Sequence, residues 1–474
     1  MQEKKQKRYV GVKETLIYGI ANGGQCIGYN LIRQQLMIYL PVAFGIDYAY
    51  VSLMMTIMAF WDAFNDPIMG AVVDRTRTRY GKLRPYLVFV PIPLGITTIL
   101  FFSGATFLRG SSDMVKVVYM YITYFAWEFF YTIGDIPFWG LSAAISPNPL
   151  DRSRVIKSAR LISGIIGGIP GIIVTVCLDL TKNDYQKAVV FMILGIVAGT
   201  VGMFLFSLSG LMTKERMVQS NDEPSIIDCF KLMFRNKNLL LIVLSSIIGT
   251  LEGFGSAFTS IYYKACLGIA SLSLVAGIPG TITSFLTFGI MTPLEKKFSS
   301  KRILYGNSFL KFAVSGIIFL IGLKNYTNSG LIVPLLAIYG IFTSFSGSIN
   351  AVIPTKMISE TVDYMEWKTG ERSEGMAFSL LTFISKLTGS LSTALSFAVA
   401  PLIGLRQMGE NFEIPEDGEI NTKLWLWGFM TIVPTTLGLL SLIPYKFYDL
   451  EGEKLQRIQE DLRRKREEMA LKVS

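Results

Sequence analysis

The chain has 474 residues, 51% of them hydrophobic and 17% charged, with a formal net charge of +10. A soluble chain carries about 25% charged residues; here the apolar residues run in blocks such as Val88–Phe102, Val189–Gly210 and Ile303–Gly322, long enough to cross a hydrocarbon core of about 30 Å. The basic residues cluster between those blocks instead of forming one soluble face, which excludes a nucleic-acid partner, and the lack of any histidine excludes His-based catalysis, His metal ligands and a His proton relay.

The hydrophobic pattern predicts an all-α membrane protein with twelve spans, at 14–40, 48–74, 84–108, 114–144, 156–179, 187–213, 237–266, 271–292, 302–323, 330–360, 374–404 and 424–448. No cleavable leader is expected, because the first apolar block continues directly toward the second. The polar segment 214–236, centred on Asp222-Glu223-Pro224, divides the chain into residues 1–213 and 237–448, each of six spans, followed by a charged tail at 449–474. Two equal halves of this kind suggest the two-bundle plan of major facilitator transporters, with the solute site between the halves. Lys and Arg concentrate in alternate loops, among them 75–84, 152–160, 214–237 and 296–302. That bias places both termini in the cytoplasm. The basic loop Asp74–Arg84 has a counterpart at Glu295–Arg302, as a repeated half requires.

Charges inside the hydrocarbon cost about 2.5–3.5 kcal/mol each on insertion scales and mark function by default. The set here is Arg33, Asp62, Asp66, Glu128, Asp135, Glu252 and Lys386. Each also has a bland reading, as a helix-end residue or half of an ion pair that locks two helices. In the second span, Asp62 and Asp66 stand four apart on one helix face with Asn65 beside them and Pro67 following. Two neighbouring carboxylates need a cation between them or a proton on one of them. An oxygen-rich set of this kind suits sodium and also suits a proton carrier.

The fourth span carries Glu128, Thr132, Asp135 and Trp139 on one stripe. A carboxylate that accepts from vicinal hydroxyls beside an aromatic plate suits a sugar ring, although Trp139 also reads as an interfacial belt residue. In the fifth span, Gly164, Gly167, Gly168 and Gly171 are expected to allow close helix sliding. Lys386, deep in the eleventh span, stays charged if it faces Asp62 and Asp66; two acids and one lysine leave one negative charge for a single cation to neutralise. The loop 405–423 is acidic, and 450–474 reads as a solvated helix. The four cysteines, Cys26, Cys177, Cys229 and Cys266, have neither metal nor framework spacing.

These residues also carry a family resemblance. Trp61-Asp62-Ala63-Phe64-Asn65-Asp66-Pro67-Ile68-Met69-Gly70 with Asp74-Arg75 and Gly81-Lys82-Leu83-Arg84-Pro85, then Tyr131–Trp139, then Thr361-Val362-Asp363-Tyr364 with Glu366, resemble the signatures of the glycoside–pentoside–hexuronide:cation symporters, the melibiose-permease-like family of the major facilitator superfamily. The resemblance covers nearly the whole chain. It implies symport of a sugar or glycoside coupled to Na+, Li+ or H+, with no cofactor, no metal beyond the coupling cation and no catalytic residue. It further implies a cation site at Asp62, Asn65, Asp66 and Thr132, a sugar site at Asp135, Trp139 and Arg160, a coupling lysine at Lys386, and a cytoplasmic gating loop at Asp74, Arg75 and Arg84.

One departure stands out. A first-span Lys-Asp pair of the family's best-known member, whose aspartate contacts galactosyl hydroxyls, is matched here by Gln25 and Cys26. This span carries Arg33 instead. Arg33 reads either as a bridge to Glu128 or as a bidentate site for the carboxylate of a hexuronide. Other classes are a symporter of a lipid-like amphiphile on the same fold and a non-transporting receptor. No nucleophile–base pair, metal motif or phosphate loop supports an enzyme. The expected surroundings are membrane lipid in the plasma membrane, and the expected working form is a monomer.

Overall fold

The computed structural model describes residues 8–216, 231, 234–369, 374–405 and 421–473. All regular structure among them is helical. In chain order the helices are α1 (Val12–Ile38), α2 (Tyr48–Arg75), α3 (Arg84–Phe107), α4 (Asp113–Ala144), α5 (Pro149–Leu180), α6 (Asp184–Met212), α7 (Lys237–Leu267), α8 (Leu272–Lys297), α9 (Ser300–Gly322), α10 (Ser329–Thr369), α11 (Glu374–Val399), α12 (Thr422–Met430, then after a bend Ile432–Phe447) and α13 (Gly452–Val473). Their starts follow from short polar side chains that accept from otherwise orphaned first-turn N–H groups. Asp47 accepts from Ala49, Asn148 from Leu150, Asn183 from Gln186 and Ser299 from Arg302.

Among the described residues, seven helices are long and apolar enough to cross a membrane. Two bent pairs, at 48° in α8 and 46° in α12, make nine if each is a single span. Twelve were expected. Of the four remaining helices, α13 is the charged tail, and α1, α2 and α4 are long enough to span but outside this apolar set. These three are rich in Gly, Asn, Gln, Tyr and Trp and carry Arg33, Asp62, Asp66, Glu128 and Asp135. Their reduced hydropathy therefore coincides with the candidate site.

The chain forms two compact units. The first consists of Met1–Asp222 and Phe397–Glu416, the second of Glu223–Ser396 and Asp417–Ser474. In the first unit Tyr39 sits among Phe101, Phe102 and Phe191 with ring centroids 4.8–5.2 Å apart, and its hydroxyl donates to the Phe101 carbonyl. That bond satisfies a phenol where no water is available to do so. Backbones approach closely at Gly95 and Gly199, where a Cβ on Gly199 would lie 2.5 Å from the Gly95 carbonyl oxygen. Of the α5 glycines expected at packing surfaces, only Gly167 is tight, with Cys26 and Asn30 2.8 Å from its Cβ position. Gly164 and Gly168 face open space, so they do not mediate a helix contact.

In the second unit a core of Ile242, Ile353, Met357, Ile358 and Leu442 extends to Ile458 and Leu462 of α13. Trp367 donates to Asp461 at 3.1 Å. The tail is helical as its composition indicates, but it is not solvated all round. Ile458 and Leu462 stand four apart and form an apolar stripe that docks on the unit. The middle segment 214–236 lies largely outside the described residues, as does the loop 405–423.

A polar ladder between α1 and α4 and its link to α2

Three faces of α1 serve three neighbours. Gly19 and Gly23 lie against Ser158, Ile162 and Ile166 of α5, where Asn22 and Asn30 donate to the Ala159 and Gly167 carbonyls. Gly24 lies against Gly202 and Leu205 of α6. The third face meets α4 through long side chains, in four rungs that descend antiparallel. Tyr18 stacks on Phe138 at 4.4 Å and donates to its carbonyl. The Gln25 amide donates to Asp135 Oδ1 at 2.9 Å. Tyr29 stacks on Tyr131 at 5.1 Å. Arg33 Nη2 meets Glu128 Oε1 at 2.6 Å. Steps of seven, four and four residues along α1 and of three, four and three along α4 keep each rung on one face.

The last rung extends to α2, because Arg33 Nη2 is also 3.6 Å from Asp62 Oδ2. The Glu128 side chain is 3% exposed, Asp62 13% and Arg33 18%. The guanidinium lies 5.9 Å from the Tyr29 ring centroid, a cation–π distance. Arg33 Nε, Glu128 Oε2 and Asn65 Nδ2 are buried without a hydrogen-bond partner among the described residues. Further contacts set how α2 lies along α4. Tyr121 donates to the Tyr50 carbonyl and Trp61 packs on Phe125 at 4.7 Å, so positions increase in the same direction along both helices.

The other expected site residues fall as follows. Asn65 and Thr132 are buried, at 3% and 5% exposure, and Asp66 is half-buried. Trp139 lies beneath the Arg160 guanidinium at 4.5 Å, so the aromatic plate is held by α5 as well as α4. Cys26 lies beside Asn22 at 4.0 Å and against Gly167. Lys386 is exposed on α11 in the second unit. Glu252, also in the second unit, ion-pairs with Lys311. It borders a cavity of about 340 Å³ that Thr250, Ser308, Asn350 and Ser385 help to line.

In the gating loop the Asp74 side chain lies outside the described residues, and Arg75 is exposed. Arg84 donates from Nε to the Gly210 carbonyl at 2.9 Å. The loop is organised by a residue the sequence reading passed over. Glu215 accepts from the backbone N–H groups of Lys82, Leu83 and Arg84 at 2.8–2.9 Å. Gly81, at φ +111°, leaves room for that carboxylate. Tyr29 and Tyr131 were missed as well. Their signal was an aromatic one turn from Gln25 and another one turn from Asp135.

Residues 17–452 match the family described as MFS/sugar transport protein. The chain belongs to this family. It is a member of the glycoside–pentoside–hexuronide cation symporters within the major facilitator superfamily, a family of transporters and not of enzymes. It is similar to an uncharacterised symporter, YjmB, of Bacillus subtilis, at 28% identity over 84% of this chain and 85% of that one. It is also similar to a glucuronide carrier protein homolog of Escherichia coli, at 27% identity over 89% and 88%. Among solved structures it resembles the nucleoside transporter NupG, with a TM-score of 0.60 and 14% identity over 92% of this chain and 100% of that one. At that identity the likeness shows the fold: this symporter-family member is an all-α, multi-pass membrane protein of the major facilitator type.

Proposed function

We propose that the protein carries a sugar or glycoside across the plasma membrane together with a monovalent cation, by alternating access of its two units, with both termini in the cytoplasm. The observation that carries this reading is the Arg33 bridge from Glu128 to Asp62. It levels Asp62 of α2 with Glu128 of α4, and four residues further along each helix come Asp66 and Thr132. Helices that run in the same direction with a one-turn step keep these two side by side. Asp62, Asn65, Asp66 and Thr132 then form an oxygen-rich pocket for a hard cation.

The solute lies one further step along α4, where Asp135 accepts from solute hydroxyls and Trp139 covers an apolar sugar face. Gln25 and Arg160 hold these two groups from α1 and α5. A cation that orders α2 against α4 thereby shapes the solute pocket, and the coupling is reciprocal. Arg33 already faces two carboxylates, which argues against its serving as the receptor for an acidic glycoside.

Uptake into proteoliposomes tests the reading, using neutral and acidic glycosides with and without inward gradients of sodium, lithium or protons. Uptake of a glycoside that one gradient accelerates supports it. Equal uptake under all conditions rejects coupling.

A further inference from the structure

We infer that Arg33 is a tethered cation that shares Asp62 with the coupling ion, and that Glu128 is the alternative partner which draws it away. The inference rests on the cation site proposed above. Three features of the triad support it.

The first is reach. One nitrogen, Nη2, serves both carboxylates, at 2.6 Å to Glu128 and 3.6 Å to Asp62. Arg33 therefore leans toward Glu128 while remaining within ion-pair range of Asp62. The second is looseness. A structural lock between Arg and a carboxylate uses two parallel N–H···O bonds. Here Nε is buried without a hydrogen-bond partner, as is the second oxygen of Glu128. The guanidinium can thus pivot between carboxylates without breaking a bidentate fork. The third is charge. With all groups ionised, Asp62, Asp66 and Glu128 carry three negative charges and Arg33 one positive charge. A buried carboxylate held by a guanidinium has a lower free energy of ionisation and attracts a second cation less. When Arg33 lies on Glu128, Asp62 holds an incoming ion more strongly. When Arg33 swings to Asp62, it takes the ion's place.

The position of Arg33 decides which of the two carboxylates it neutralises. A tethered cation on Asp62 keeps α1, α2 and α4 together while no ion is bound, and binding of the ion transfers Arg33 to Glu128. Arg33 and Glu128 are thus positioning residues that set how tightly the ion binds, without coordinating it.

The experiment measures the half-saturating concentration of whichever ion stimulates uptake, sodium, lithium or proton. It also measures the ion-dependent rise in melting temperature of the purified protein. Glu128→Gln leaves Arg33 with Asp62 alone, so the half-saturating concentration is expected to rise about tenfold, within the usual span of coupling between linked sites. Removing the competitor as well, in Arg33→Gln combined with Glu128→Gln, is expected to return it to the wild-type value or below. A purely structural bridge predicts that the double variant is at least as impaired as Glu128→Gln. If Glu128→Gln does not reach the membrane, Glu128→Asp retracts the carboxylate by one methylene and is expected to give an intermediate rise.

A half-saturating concentration unchanged in Glu128→Gln or Glu128→Asp overturns the inference, as does a double variant without rescue. Failure of the underlying reading looks different: wild-type uptake that no ion stimulates, which removes the cation site and the inference together.

Discussion

The Gln25 amide donates to Asp135 Oδ1 at 2.9 Å, across two helices that face each other through side chains. A neutral amide here leaves Asp135 its charge, and it fixes the carboxylate's orientation. A hydrogen bond to a charged group contributes about 1.5–3 kcal/mol. Gln25→Ala is accordingly expected to raise the KM for the transported glycoside about 10- to 100-fold, with the amount of protein in the membrane unchanged. Uptake kinetics in proteoliposomes check this. An unaltered KM would mean that Asp135 does not receive the solute.

Asp66 is placed by its one-turn spacing from Asp62, and in the reading above it supplies an oxygen to the ion. Asp66→Cys keeps the approximate volume and removes both oxygens. Uptake by this variant should lose its stimulation by the coupling ion altogether while retaining slow downhill exchange of solute. Stimulation that survives in the variant moves the ion site elsewhere.

Trp139 lies between Arg160, at 4.5 Å, and the end of the α1–α4 ladder. Its proposed role is area and quadrupole, and not hydrogen bonding, so Phe should substitute for it in part. Trp139→Ala is expected to raise KM at least tenfold and Trp139→Phe by about threefold, in keeping with a loss of roughly 0.5–1.5 kcal/mol for an aromatic contact. Equal impairment in both variants would point to a role for the indole N–H instead.

Gly81 combines a left-handed backbone, at φ +111°, with a carboxylate of Glu215 occupying the place of its missing side chain. Gly81→Ala must strain the backbone, at about 1–3 kcal/mol, and push Glu215 away from the three N–H groups it accepts from. Thermal unfolding of the purified variant should begin several degrees below wild type, and Glu215→Gln should produce a smaller drop of the same kind. A Gly81→Ala protein that melts like the wild type would show that this loop is not held by Glu215.

Much of the candidate site was legible because its components are local. The one-turn spacing of Asp62 and Asp66, and the stripe from Glu128 to Trp139, are properties of single helices. What was not legible came from contacts between helices. Arg33 could be assigned to Glu128 or to a solute carboxylate, with the bridge to Glu128 the favoured reading, and its approach to Asp62 was not foreseen, because nothing in the spacing of 33, 62 and 128 encodes the packing of three helices. Gly164 and Gly168 looked like packing residues by composition, yet the face they occupy on α5 points to open space, and a glycine run does not say which face is used. The span count was affected from the opposite side. The helices that carry Arg33, Asp62, Asp66, Glu128 and Asp135, namely α1, α2 and α4, fall outside the set apolar enough to be recognised as membrane spans.

By itself the sequence determined that the chain enters a membrane as long helices and that Asp62 and Asp66 sit one turn apart. These follow from hydropathy and from the helical repeat, which act over a few neighbouring residues. Only the tertiary structure decided that Gln25 steadies Asp135, that Glu215 organises the loop after α2, and that Arg33 stands between Glu128 and Asp62. Those partners are between 29 and 134 positions apart in the chain, and a side chain's electrostatic partner is set by distance in space, which falls to a few ångströms only once the helices have packed.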